Sequence, residues 1–279
     1  MSDSVQQQRR VTIRPSSFGS LPNLMEVWYY RDLLVQLARR DIQSRFRQSI
    51  FGVGWAVITP LLTTLIYTVI FSVFIRVDTS PVPYPVFVFT ALIPWLYFSA
   101  SLTKVSASVV AGGPLLSKVF FPRLVLPLSA LVVAGVELMI HMVVLLGVMA
   151  IYGYWPGGAI LALPFFVAYT LLTTFAVGIW LAALNVRFRD VGMLVPFLLQ
   201  TWMYLCPIIY SVEMVPERFR ALYCLNPMVG AISGFRWCLA GAAEPNWMMM
   251  GISCLGMLVV LMGGLIYFRH AQDQFADII

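Results

Sequence analysis

Between Leu124 and Val186 only Glu137 and His141 carry ionisable acid or base groups. This run is far longer than the roughly 20 apolar residues that cross a hydrocarbon core of about 30 Å. It must fold back on itself, and Tyr152-Gly-Tyr-Trp-Pro-Gly-Gly158 supplies turn formers and interfacial aromatics at the break. Inside lipid every backbone polar group needs an internal partner, so the run predicts two membrane-spanning helices, about 124–151 and 159–184. Other uncharged stretches add spans at about 51–75, 84–103, 191–210 and 247–268, with a kink expected at Pro94 in the second. The expectation is an all-α integral membrane protein with six transmembrane helices in a single domain over residues 30–268. Residues 1–29 read as a flexible cytoplasmic N-terminus and 269–279 as a cytoplasmic tail.

Composition agrees with this. Charged residues make up 11% of the 279-residue chain and mean hydropathy is +0.86, against about 25% charged in soluble domains. The first fifty residues lack a short apolar core followed by a small-residue cleavage site, so the first span is expected to stay as an anchor. The net charge of +6 does not point to nucleic acid, because the basic residues flank apolar runs and do not gather on one polar face. With six spans both termini share a side. If that side is cytoplasmic, eight arginines precede the first span. Lys104, Lys118, Arg123, Arg187, Arg189 and Arg269 then join them, fourteen of the eighteen Lys and Arg. Arg76, Arg218, Arg220 and Arg236 fall outside, which is the asymmetry of cytoplasmic termini.

The first span is entered through a basic amphipathic helix. Tyr30, Leu34, Ala38, Ile42 and Phe46 recur every four residues, while Arg31, Arg39, Arg40, Arg45 and Arg47 occupy the other faces. This predicts an interface helix on the cytoplasmic surface. Near the other end, 211–244 holds an uncharged stretch broken by Asn226-Pro227, Gly230 and Gly234. It is too interrupted for a span and reads as a re-entrant helical hairpin or an interfacial helix pair before the last span.

No GxxxxGK[ST] phosphate loop occurs, so the chain carries no ATPase site of that kind. Cys206, Cys224, Cys238 and Cys254 show no metal spacing and read as small apolar fillers, with a Cys224–Cys238 bridge left open. No metal or cofactor site is expected. Glu137 and His141 stand at i, i+4 within one span, either as a mutually satisfied structural pair or as part of a proton or substrate path. Trp55, Tyr67, Trp95, Tyr97, Trp202, Tyr204 and Tyr210 fall within spans. They fit interfacial belts first, and the pattern is also compatible with a corridor for a hydroxylated polymer, since sugar C–H faces lie flat on aromatic rings. Pro114-Leu-Leu-Ser-Lys-Val-Phe-Phe-Pro122, within the connection 104–123, would waste apolar surface in water. Leu115, Leu116, Ser117, Lys118, Val119, Phe120 and Arg123 are therefore expected to seat on a partner protein, with Arg31 and Asp32 in the same coupling contact.

Several stretches together resemble the membrane subunit of polysaccharide-exporting ABC transporters, the O-antigen, capsule and teichoic-acid permease family of the type-2 exporter class. They are Arg39-Arg-Asp-Ile-Gln-Ser-Arg-Phe-Arg47 leading into Gly52-Val-Gly-Trp55 and Pro60-Leu61, then Tyr84-Pro-Val-Phe-Val-Phe89 and Ile93-Pro-Trp95. Ser117-Lys-Val-Phe-Phe-Pro-Arg123, Leu184-Asn-Val-Arg-Phe-Arg-Asp190, Cys206-Pro-Ile-Ile-Tyr210, Asn226-Pro-Met228 and Phe235-Arg-Trp237 follow in the family's order. The resemblance implies a homodimer working with two copies of a separate ATPase, which would hold ATP and Mg. Such a complex exports a lipid-linked polysaccharide across the bacterial inner membrane. It makes Arg39, Arg40, Arg45 and Arg47 candidates for attracting the lipid pyrophosphate, beside plain positive-inside anchoring. A type-2 exporter of a small hydrophobic compound and a membrane enzyme of lipid-linked sugar metabolism are the alternatives.

Overall fold

The computed structural model describes residues 24–47 and 51–278. Among them it is all helical. A short α1 (Leu24–Tyr29) leads into α2 (Arg31–Arg47). α3 (Gly54–Tyr67) then continues as a π-helical stretch, Thr68–Phe74. α4 (Tyr84–Ala111), the single-turn α5 (Gly113–Leu116) and α6 (Val125–Ile151) follow. A 3-10 segment, Gly158–Ala162, opens α7 (Leu163–Arg187), and α8 (Asp190–Tyr204), α9 (Glu217–Cys224), α10 (Pro227–Ala240) and α11 (Trp247–Ile278) complete the order. Residues 1–23, most of the expected N-terminal segment, lie outside the described residues.

Among the described residues five helices are long and apolar enough to cross a membrane: Gly54–Phe74, Tyr84–Ala111, Val125–Ile151, Gly158–Arg187 and Trp247–Gln272. The apolar run 191–210 differs from its expected form. Its helix, α8, has 15 residues, about 22 Å at 1.5 Å per residue, short of a core of about 30 Å. The chain leaves the helix at Leu205, two residues before Pro207, and continues irregularly to Tyr210. The second apolar run differs in the other direction, since α4 runs through Pro94 and Lys104 to Ala111. The connection to α6 is therefore much shorter than 104–123.

α4 is the axis of the bundle. In its most apolar window 78% of residues are buried, against 11% in the first span. It packs against α6, α7 and α10, while α11 lies along α7. Where helices meet closely, small residues allow it. A Cβ on Gly178 would stand 2.6 Å from a Val105 methyl, and one on Gly234 would overlap the Phe166 ring. Several hydroxyls inside the bundle return their protons to their own helix. Thr170 donates to the Phe166 carbonyl and Thr174 to the Thr170 carbonyl, both at 2.7 Å, which removes the cost of burying them. α10 begins with Pro227 in its first turn, capped by the Asn226 side chain. It ends at Gly241, whose φ of 58° is the left-handed closure that glycine favours.

Candidate functional site

The basic segments gather at one end of the bundle. Asn185, near the end of α7, is buried. Its Nδ2 donates to the Ser106 carbonyl on α4 and its Oδ1 accepts from the Gly192 N–H, both at 2.9 Å. This pins the α7–α8 turn, with Arg187 and Arg189, beside the end of α4 and the α5 connection. α2 lies along α6 at the same end, burying Leu37 and Ala38 and turning Arg31, Arg39 and Arg40 outward. Of the expected inner residues, Ala38 is buried and Tyr30, Leu34 and Ile42 are half-buried, while the Phe46 side chain lies outside the described residues. Arg31 and Asp32 are exposed, 3.9 Å apart, and Arg40 donates to Asp41 Oδ1 from Nε at 3.1 Å and Nη2 at 3.0 Å. The side chains of Arg45 and Arg47 lie outside the described residues.

Lys104 belongs to this end but not to a loop. It sits in α4, and its Nζ donates to Glu137 Oε1 on α6 at 2.9 Å. The sequence paired Glu137 with His141 because they share a face of one helix. Both are buried, 7% and 5% exposed, and Glu137 also meets a charge partner on the neighbouring helix. Spacing within a single helix could not reveal it.

The connection after α4 presents two different faces. Leu115 and Leu116 are half-buried and pack on the core, and Phe121 is buried. Val119 and Phe120 are 49% and 65% exposed, beside exposed Ser117 and Lys118, with Arg123 half-buried. Apolar side chains on a short loop between basic residues are poorly placed in water and well placed under a protein partner.

A second concentration of exposed apolar side chains runs along the first span and α8. Trp55, Leu62, Leu65, Ile66, Val73 and Phe74 project from the former, and Met193, Phe197 and Tyr204 from the latter. Tyr67, whose hydroxyl donates to Met203 Sδ at 3.6 Å, joins the two. The aromatics named from the sequence therefore separate by position. Trp55 and Tyr204 face outward, and Tyr67 is half-buried at the junction. Trp95 and Tyr97 are buried within the subunit, 4% and 1% exposed. Trp202 packs edge-on against Phe98 at 5.2 Å and donates Nε1–H to Asn226 Oδ1 at 3.1 Å. Tyr210 shares a 2.8 Å hydrogen bond with the Tyr223 hydroxyl.

At the opposite end lies a residue whose role the sequence did not reveal. Arg236 was counted with the external cations, yet it is buried in α10, 4% exposed. Its Nη2 donates to the Ile208 carbonyl at 2.6 Å, Nη1 to the Tyr210 carbonyl at 2.9 Å, and Nε to the Phe87 carbonyl at 3.4 Å. The guanidinium also lies 3.7 Å from the Phe87 ring centre. It thereby holds the irregular segment after α8 to both α4 and α10. Asn226 does similar work, donating from Nδ2 to the Leu205 carbonyl at 3.1 Å. In the sequence both stand within family-like stretches, Phe235-Arg-Trp237 and Asn226-Pro-Met228, which do not reveal these contacts.

All four cysteines are free thiols, so Cys224 and Cys238 are not bridged. Among the described residues no group of three or more His, Cys, Asp and Glu is arranged to hold a metal ion.

Comparison with known proteins bears on the whole chain. The profile of the family described as ABC-2 type transporter matches residues 32–240. An O-antigen export system permease protein RfbA of Klebsiella pneumoniae is 30% identical over 261 residues, 93% of this chain and 100% of that protein. A protein of the same name from Myxococcus xanthus is 31% identical over 258 residues, 90% and 97% of the two chains. The polysialic acid transport protein KpsM of Escherichia coli is 25% identical over 245 residues, 84% and 91% of the two. The matched region takes in the basic end, the α4–α6 connection, the first span and the segment around Arg236. The chain belongs to the ABC-2 type transporter family.

Proposed function

We propose that this chain is the membrane-spanning subunit of an ATP-driven exporter that moves a lipid-linked, O-antigen-like polysaccharide outward across a bacterial inner membrane. The observation that carries this reading is the similarity to O-antigen export permeases over nearly the full length of both proteins. The chain is proposed to act as a homodimer with two copies of a separate ATPase subunit that binds ATP and Mg.

In this reading the basic end faces the cytoplasm and both termini lie there. α8, extended by residues 205–210, makes a fifth crossing and α11 a sixth, while α9 and α10 form the re-entrant pair at the external mouth. Val119 and Phe120, with Leu115, Leu116, Ser117, Lys118 and Arg123 around them, seat on the ATPase, assisted by Arg31 and Asp32. The corridor opens where the first span and α8 of one subunit meet those of the second copy. Trp55, Tyr67 and Tyr204, and Tyr210 near the exit, give that seam aromatic surface and no formal charge, which suits a neutral polyhydroxylated chain. Arg39, Arg40, Arg45 and Arg47 attract the pyrophosphate-bearing lipid at the inner leaflet.

Affinity purification of the tagged chain from its native membrane tests the assembly. Recovery of an ATP-binding subunit in equal amount is expected, and recovery of the chain without any ATPase would refute it.

A further inference from the structure

A cavity of about 220 Å³ opens at the end away from the basic segments, between α9, α10 and the start of α11. Three sulfur-bearing side chains line it: Cys224, the last residue of α9, and Met249 and Met250 in the first turn of α11. The Cys224 thiol donates to Met249 Sδ at 3.6 Å. Its backbone carbonyl accepts from the Ser253 hydroxyl. Met249 and Met250 stand four and three residues before Ser253, so both lie on the face of α11 that Cys224 meets. The Met250 sulfur is aimed across the cavity at Gly230, where a Cβ would stand 2.9 Å from Sδ. One thiol and two thioethers therefore converge from two helices, with Cys224 and Met250 both 5% exposed. Cysteine spacing predicts no metal site because it takes no account of thioethers on another helix.

The other polar groups of the wall limit what these sulfurs can hold. Arg236 spends its donors on the Ile208, Tyr210 and Phe87 carbonyls, and Arg220 donates to the Val215 and Glu213 carbonyls at 2.8 Å each. Glu213 and Glu244 are exposed, and Glu244 accepts from the Trp247 indole N–H at 2.6 Å. Their charge draws cations toward the opening. Thiolate and thioether sulfurs are soft donors that suit Cu(I), whereas carboxylate and water suit Mg and Ca. Cu(I) takes the place of the thiol proton: the S–H bond breaks, a Cu–S bond forms, and the proton leaves to solvent. Thiolate and monovalent ion cancel, so no net charge is added beside the two arginines. A divalent ion on the same three atoms would leave one positive charge uncompensated there.

We infer that Cys224, Met249 and Met250 form a site for a monovalent soft metal ion, Cu(I), which ties α9 to α11 when bound. The inference stands on the sulfur cluster and does not depend on the exported compound or on the direction in which the chain crosses the membrane. Packing alone accounts for one methionine against a thiol. Two thioethers and a thiol facing one cavity make a ligand set.

Anaerobic titration of the purified intact complex, its thiols reduced, with Cu(I) buffered by bicinchoninate tests it. Each copy of the chain is expected to take one Cu(I) from the chelator. The unfolding temperature should rise with uptake, since an ion held only by the folded state stabilises it. Met249→Leu and Met250→Leu keep side-chain volume and should each weaken uptake about ten-fold or more, because even partners that merely orient a metal ligand are worth that much. Cys224→Ser should end the uptake, and Cys238→Ser, at a buried free thiol outside the cavity, should leave it unchanged. The methionine variants decide the matter if Cys224→Ser fails to fold. No transfer from the chelator, undiminished uptake in the Met249→Leu, Met250→Leu double variant, or equal losses from Cys238→Ser and Cys224→Ser would overturn the inference.

Discussion

Lys104 Nζ stands 2.9 Å from Glu137 Oε1 and thereby joins α4 to α6 across the bundle. The carboxylate side chain is 10% exposed and the lysine side chain 28%, so the pair is drawn well away from water at its acidic end. Removing one partner takes a short ionic hydrogen bond from the other at a poorly hydrated site, whereas removing both removes the desolvation cost with the attraction.

Glu137→Gln or Lys104→Met alone is accordingly expected to destabilise the protein by about 2 kcal/mol, with the partly exposed lysine keeping the loss below that of a fully buried pair. Lys104→Met combined with Glu137→Leu should recover most of it. Thermal unfolding in detergent across this double-mutant cycle reads the coupling. A Glu137→Gln protein that assembles and stimulates ATP hydrolysis normally, yet exports nothing, would instead place Glu137 on a transport path.

Phe120→Asp with Val119→Asp places charge on the exposed part of the α4–α6 connection. The subunit's own stability should change by less than about 0.5 kcal/mol, as for surface positions away from special features. Recovery of the ATPase in affinity purification, and export with it, should fall sharply. An undiminished yield of the ATPase would show that this surface is not the contact.

Gly234 lies against the Phe166 ring, and the ring also meets Trp237 edge-on at 6.3 Å. Gly234→Ala should cost about 1–3 kcal/mol by overpacking. Its cost should shrink when Phe166→Ala has already opened the space. Additive losses in the thermal unfolding of the double variant would contradict the crowding.

Arg236→Met leaves the Ile208 and Tyr210 carbonyls without their donor and is expected to cost about 3 kcal/mol, in the range for lost bonds to a charged group and the desolvation left behind. Arg236→Lys should recover only part, because an ammonium cannot span the same fork of carbonyls. Hydrogen exchange should show residues 205–211 opening in the Met variant before the rest of the bundle. Uniform opening would mean that Arg236 does not fasten that segment specifically.

The long apolar runs made the spanning helices legible, and the four-residue period from Tyr30 to Ile42 made α2 legible with its buried side. What escaped was information held between helices. Lys104 looks like the end of a span because a lysine interrupts an apolar run, yet lysine is a good helix former and α4 continues through it to Ala111. The run 191–210 reads as one span because its residues are apolar. The backbone nevertheless leaves the helix at Leu205, where Arg236 and Asn226 meet the freed carbonyls. Trp95 and Tyr97 could not be assigned a face, since α4 is apolar on every side and packed on most of them. In such a helix residue type carries little directional signal. The basic end was legible as a count of charges. The convergence of Cys224, Met249 and Met250 on one cavity required the fold.

The central claim is tested most directly by measuring polysaccharide on the surface and inside cells from which this chain has been deleted. The account predicts loss of the surface polymer, accumulation of lipid-linked polymer inside, and restoration of both by the intact chain but not by the Val119→Asp, Phe120→Asp variant. A deletion strain with normal surface polysaccharide and no internal accumulation would contradict it.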